Sequence, residues 1–174
     1  METIPYPSRS ATLESAFRSG ASEAAMTGQD GKPVADRELL ITRLFDAPRD
    51  LVFAAWTDPD HLMAWWGPAE FPANSIKADV RPGGRWRHSL RSAEDGRELH
   101  HEGEFREIVP PERLVFTFAW DGEEETLVTV IFADHDGKTL MTFHQAPFDT
   151  LANRDGHIEG WDSSFDRLVE HLAR

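Results

Sequence analysis

Residues 47–68 read APRDLVFAAWTDPDHLMAWWGP, and two short helices fit into that stretch. Pro48 and Pro59 each stand where a helix takes its first turn, a place where the missing proline N–H costs no hydrogen bond. Leu51, Val52, Ala55 and Trp56 share a face at helical spacing. Leu62, Met63 and Trp66 are expected to point the second helix toward the core. Trp65-Trp66-Gly67-Pro68 ends it, since glycine and proline continue a helix poorly.

On either side of this stretch the pattern changes to strands. Upstream, Glu38–Phe45 (ELLITRLF) reads as one strand. Downstream, strand-like runs alternate with turn residues. Asn74–Val80 ends at Arg81-Pro82-Gly83-Gly84, and Arg85–Ser92 ends near Asp95-Gly96, a hairpin signal. Leu99–Ile108 ends at Pro110-Pro111, Arg113–Trp120 at Asp121-Gly122, and Thr126–Ala133 at Asp136-Gly137; Thr139–Gln145 follows. The chain closes with a predicted helix from about Asp155 to Leu172, where Ile158, Trp161, Phe165, Leu168 and Leu172 recur every three or four residues. The order is strand, two short helices, six strands, one long helix. Short loops between successive strands require antiparallel pairing. The expected class is α+β: a curved seven-stranded antiparallel sheet around one long C-terminal helix. A sheet that twists and grips a helix leaves space for a ligand between them.

Composition narrows the function classes. The 174 residues contain no cysteine and carry a formal net charge of −13. Disulfides and thiolate metal sites are excluded. The acidity repels a phosphate backbone, so no nucleic-acid partner is expected. No apolar run reaches the roughly 18 residues of a membrane span. METIPYPSRS lacks a basic stretch followed by an apolar one, so the expected location is the cytoplasm. Residues 1–37 are rich in Ala, Ser, Gly and Pro and read as a flexible extension, with a marginal helix over Ala11–Met26 carrying Leu13 and Phe17. A lid over a pocket is the alternative for this segment.

Several short motifs in this order resemble one family. They are Ala47-Pro48 with Val52 and Trp56, Asp58-Pro59, Trp65-Trp66-Gly67-Pro68, Asp79 with Arg81-Pro82-Gly83-Gly84, Gly103-Glu104-Phe105-Arg106-Glu107-Ile108 with Pro110-Pro111-Glu112-Arg113-Leu114, and Gly160-Trp161. Together they are similar to the activator of heat-shock protein 90 ATPase homologue family, within the START-like, Bet v-like helix-grip (SRPBCC) superfamily. The resemblance implies a helix-grip domain over residues 38–174. The eukaryotic co-chaperones of that family carry a separate, larger N-terminal domain, and no counterpart of it is expected in this chain.

Strand alternation nominates the inward-facing side chains. Trp86, His88 and Leu90 share one face, and His101, Gly103 and Phe105 another. Leu114, Phe116, Phe118 and Trp120 form a third set, and Met141, Phe143 and Gln145 are taken as inward on the last strand. The expected ligand-binding residues are Trp86, His88, His101, Phe105, Phe116, Phe118, Met141, Phe143 and Trp161. His88 and His101 lie on strands joined by one hairpin and are the candidate acid–base pair. No tight His/Glu ligand spacing is present, so no metal is expected. Glu102 and Glu104 fall on the opposite face, toward solvent. No G-x-G-x-x-G after a strand, Walker loop or G-x-S-x-G occurs, and no cofactor is expected. Gly160, mid-helix, costs about 1 kcal/mol against alanine; close helix–sheet packing is the simpler account and room for a ligand the other.

Three functions fit this container. The first is binding of a small apolar or aromatic molecule without catalysis. The second is a cyclase, dehydratase or hydrolase acting on a polyketide-like or aromatic substrate. The third is a chaperone-interacting protein like those the family is named for. A homodimer is the other protein partner considered.

Overall fold

The computed structural model describes residues 34–174. The predicted helix over Ala11–Met26 lies outside the described residues. A 3-10 turn, Val34–Arg37, leads into β1 (Leu39–Phe45). The Arg37 carbonyl accepts a hydrogen bond from the Phe148 N–H, and the Arg37 side chain donates to the Phe148 carbonyl. Next come α1 (Arg49–Thr57) and α2 (Pro59–Trp65). Strands β2 (Ala73–Ala78), β3 (Arg85–Arg91), β4 (Glu98–Val109), β5 (Arg113–Trp120), β6 (Thr126–His135) and β7 (Lys138–Ala146) follow, and α3 (Leu151–Leu172) closes the chain.

The seven strands form one curved antiparallel sheet in the order β1-β7-β6-β5-β4-β3-β2. Five of the six neighbouring pairs are consecutive in sequence, as the short turns demanded. The exception is β1, which pairs with β7 from Leu39↔Gln145 to Phe45↔Thr139. The β3–β4 register places His88 opposite His101, and the β4–β5 register places His101 opposite Trp120. Gly103 is where β4 can make these contacts. A Cβ there would lie 1.8 Å from the Thr117 carbonyl oxygen and 2.6 Å from Trp86 Nε1.

Trp56 is the centre of the core. Its ring lies 4.9–6.3 Å from those of Trp65, Trp66, Phe116, Phe132, Phe143, Trp161 and Phe165, so α1 meets both other helices and strands β5 to β7 through one side chain. Trp161 and Phe165 of α3 are buried, as the helical stripe predicted. Met141, Phe143 and Gln145 face inward on β7 and are fully buried.

The helices correct three details. Leu51 is 40% exposed, while Val52, Phe53, Ala55 and Trp56 are buried. At about 100° per residue, Leu51 lies roughly 120° from the centre of that buried arc. Met63 is also 40% exposed, and Trp65 takes its place at 0%. The Trp65 indole turns back against α1 and donates to the Ala55 carbonyl at 2.8 Å. Finally, α3 begins four residues before the predicted Asp155. Thr150 caps it, its hydroxyl accepting from Asn153 N–H at 3.1 Å.

Candidate functional site

A cavity of about 180 Å³ lies between α3 and the β3–β5 part of the sheet. Its third wall is the segment Trp66–Phe71 that follows α2. Gly67 makes that segment possible: at φ +87° it turns the chain sharply, and a Cβ would sit 2.3 Å from the Phe71 carbonyl oxygen. Trp66, Leu90, His101, Phe118, Trp161 and Ser164 form a buried floor. Phe71, Leu99, Trp120 and His157 are only partly buried and form a rim.

The nine expected ligand-binding residues separate into three groups. His101, Phe118 and Trp161 line the cavity. Trp86, His88, Phe105 and Phe116 lie deeper, around an inner void of about 10 Å³ shared with Trp56, Leu62, Leu114 and Trp66. Met141 and Phe143 are core residues that line neither space. Phe143 packs against Trp161 at 4.6 Å and Phe165 at 5.3 Å. Alternation found the inward face of each strand, but the path of α3 across the sheet decides which inward residues meet a void. Sequence reasoning missed the wall Trp66–Phe71, whose position depends on tertiary folding. It also missed His157 and Ser164. A readable signal was the pair Gly156 and Gly160, spaced by one helical turn.

Those two glycines answer the question left by the sequence. Among the described residues, a Cβ at either position would meet no atom within 4 Å beyond the helix's own nearby backbone. Gly160 therefore does not serve close packing. Both residues line the cavity, Gly160 half-buried along it and Gly156 exposed at its mouth.

The polar groups around the cavity are tied into the scaffold. Trp66 Nε1 donates to His101 Nε2 at 2.7 Å, and Trp120 Nε1 donates to His157 Nε2 at 3.1 Å. Trp161 Nε1 donates to Gln145 Oε1 at 2.8 Å; Gln145 passes the chain on to Thr126, whose hydroxyl donates to the Phe118 carbonyl. Ser164 donates to the Gly160 carbonyl. Arg167 reaches from α3 to the carbonyls of Ala64, Trp65, Trp66 and Gly67 at 2.8–3.3 Å, satisfying the C-terminal end of α2 and fixing the third wall to α3.

Burial keeps the histidines neutral. It lowers His88 to about 3 and His157 to about 4, with the Asp149 charge opposing the latter. Burial also pushes His101 well below the ordinary histidine range, with help from the neighbouring His88, His157, His100 and Arg87. The His88 and His101 rings are 5.7 Å apart and nearly perpendicular. Both nitrogens of His88 and Nδ1 of His101 are buried without a protein partner. Among the described residues, no Asp, Glu, Lys or Arg lines either void. Among the described residues no three His, Asp or Glu side chains gather closely enough to hold a metal ion. Glu102 and Glu104 face outward and pair with Arg85, Arg87 and Arg106. The cavity can thus enclose an uncharged, flat, apolar body against aromatic walls.

Comparison with known proteins agrees with this architecture. The family model described as Activator of Hsp90 ATPase homolog 1-like protein matches residues 46–173. No curated protein sequence matches the chain. Among solved structures, a protein from Chromobacterium violaceum superposes with a TM-score of 0.73 at 23% identity, covering 79% of this chain and 98% of its own. A protein from Arthrobacter aurescens gives 0.72 at 25% identity, covering 82% and 89%. The AHSA1 protein from Silicibacter pomeroyi gives 0.70 at 25% identity, covering 78% and 97%.

Proposed function

This chain belongs to the Activator of Hsp90 ATPase homolog 1-like family, and from that premise and the hollow under α3 we propose that it binds a small, uncharged, largely aromatic molecule between α3 and strands β3–β5. The observation that carries this reading is the open space over Gly160, half-buried beside the cavity, with Gly156 at its mouth. Two helical glycines each cost about 1 kcal/mol against alanine, and neither is needed to let another atom approach. What they provide is volume. An apolar void of about 150 Å³ takes a benzene-sized guest, so about 180 Å³ suits one or two fused rings. The absence of a charged side chain among the described residues of the walls supports a neutral guest, because a buried ion without a counter-charge is strongly disfavoured.

Acid–base catalysis by His88 and His101 draws less support, since among the described residues no carboxylate lines either void. The chaperone and homodimer readings rest on the family resemblance. Among the described residues, the exposed large apolar side chains Leu51, Met63, Val109, Leu127 and Leu151 come from five different elements.

Gly160→Leu tests the proposal. Tetralin, titrated by calorimetry and tryptophan fluorescence, is expected to bind the unaltered protein with micromolar to millimolar affinity, roughly −4 to −8 kcal/mol. Gly160→Leu should remove that binding while the melting temperature holds or rises. Undiminished binding, or a large drop in melting temperature, refutes the cavity reading.

A further inference from the structure

We infer that Ala11–Met26 docks as a helix on the outer face of the sheet, across β1, β7, β6 and β5. The inner face settles which side chains belong to the outer one. Leu39 and Phe45 of β1 and Val128, Val130 and Phe132 of β6 are in the core. Helices α1 and α3 pack on that inner side, through Phe53 on Phe132 and through Arg43, which bonds to Asp162 and Asp166. The alternate residues of each strand therefore point away from α1 and α3.

The outer face divides in two. On β3 and β4 it is charged, with Arg85, Arg87 and Arg106 paired to Glu102 and Glu104. On the other four strands it is mostly apolar. Register sets Leu44 beside Leu140, and Leu40 in a row that runs through His144 and Thr129 to Val115. Ile131 and Leu127 of β6 complete the patch. His144 is bonded to Glu38 at 2.7 Å, and Arg113, at the border, lies 3.4 Å from Glu107. In the middle of the patch Val115, Thr117, Thr129 and Thr142 are only 3–7% exposed. An apolar sheet face is stabilised by a covering layer.

The place where the described chain starts names the occupant. Val34–Arg37 leads directly into β1, tied down by Arg37 at Phe148 and by Asp36 at Arg154. Residues 1–33 thus set out from the edge of this apolar half. Leu13, Ala16, Phe17, Gly20, Ala21 and Ala24 recur every three or four residues, while Arg18, Ser22 and Glu23 fall off that side. A helix of this length is marginal alone and takes its stability from packing its apolar side. It is about 24 Å long, four strands span about 14 Å, and residues 27–33 reach about 25 Å when extended. The tether holds the segment at an effective concentration on the order of millimolar. A second copy of the chain would instead bring a net charge of −13 against −13.

The test uses the full-length protein at pH 7.5. Amide hydrogen exchange over Ala11–Met26 is expected to be at least tenfold slower than in a free chain, in a sample that sedimentation shows to be monomeric. Nuclear Overhauser contacts should join the Phe17 ring to methyl groups of Leu40, Ile131 or Leu140. In Phe17→Asp the segment should return to free-chain exchange while the amides of β6 keep their protection. Free-chain exchange in the unaltered protein overturns the inference. Absence of those methyl contacts overturns it too, as do contacts from Phe17 to Leu99 instead, which would make the segment a lid over the cavity. Protection that appears only in a dimer, or that survives Phe17→Asp unchanged, also overturns it.

Discussion

His88 allows the burial of uncharged imidazole to be read as stability. Its pKa falls from 6.5 to about 3 because burial disfavours the charged ring, and that of His157 falls to about 4 for the same leading reason. Below pH 6.5 the unfolded chain takes up protons that the folded protein refuses, so stability falls as pH falls, until each folded pKa is reached. The slope is about 1.4 kcal/mol per pH unit for each histidine. From pH 7.5 to pH 5, His88 and His157 together remove about 4 kcal/mol, and His101 acts in the same direction. That is a large share of the 5–15 kcal/mol typical of a domain. Asp95, Asp121 and Asp149 have lowered pKa values, so their losses begin as pH falls into the ordinary carboxylate range, near 4, and lie below this window. Urea unfolding at pH 7.5 and pH 5 measures the difference. His88→Leu isolates one share: at pH 5 it should lose about 2 kcal/mol less than the unaltered protein. At pH 7.5 it should be at least as stable, because two buried nitrogens without partners are removed. Equal stability of the unaltered protein at the two pH values would refute the reasoning, as would an unchanged acid slope in His88→Leu.

Two further substitutions probe the frame around the cavity. Phe165→Ala, at a side chain with 0% exposure that packs on Trp56, Phe143 and Trp161, should cost about 3–5 kcal/mol in denaturant unfolding; a loss below 1 kcal/mol would show that α3 does not sit firmly on the sheet. Gly103→Ala should destabilise by about 3 kcal/mol or more, since the new Cβ would fall 1.8 Å from the Thr117 carbonyl oxygen, an atom of the neighbouring strand that cannot swing aside. A near-neutral melting temperature would contradict it.

The strands were legible because two local signals agreed, alternation within each run and turn residues between runs. Arg113–Trp120 was bounded to the residue, and the facing of His88 and His101 followed from the period of two and the single hairpin joining them. The α3 stripe was legible for the same kind of reason, while its first turn was hidden in Thr150, whose capping role depends on the bond to Asn153. What local pattern could not supply was the third dimension. Trp86 and Phe118 both point inward, yet one borders the inner void and the other the main cavity. Nothing in the spacing of Trp66 and His101, 35 residues apart, announces that one donates to the other.

The pairing of β1 with β7 also sets an order of events during synthesis. Leu39 meets Gln145 across more than a hundred intervening residues, so the first strand made waits for the last. The β2–β6 meander can close hairpin by hairpin as each turn emerges, because its contacts are local. Meanwhile β1 is an unpaired strand with Leu39 and Phe45 uncovered, the kind of edge that invites pairing with other chains. Its side chains are shielded only when Lys138–Ala146 has left the ribosome and α3 has followed. The nascent chain is therefore most in need of protection over nearly its whole length, and the interval ends only when the carboxyl-terminal helix docks.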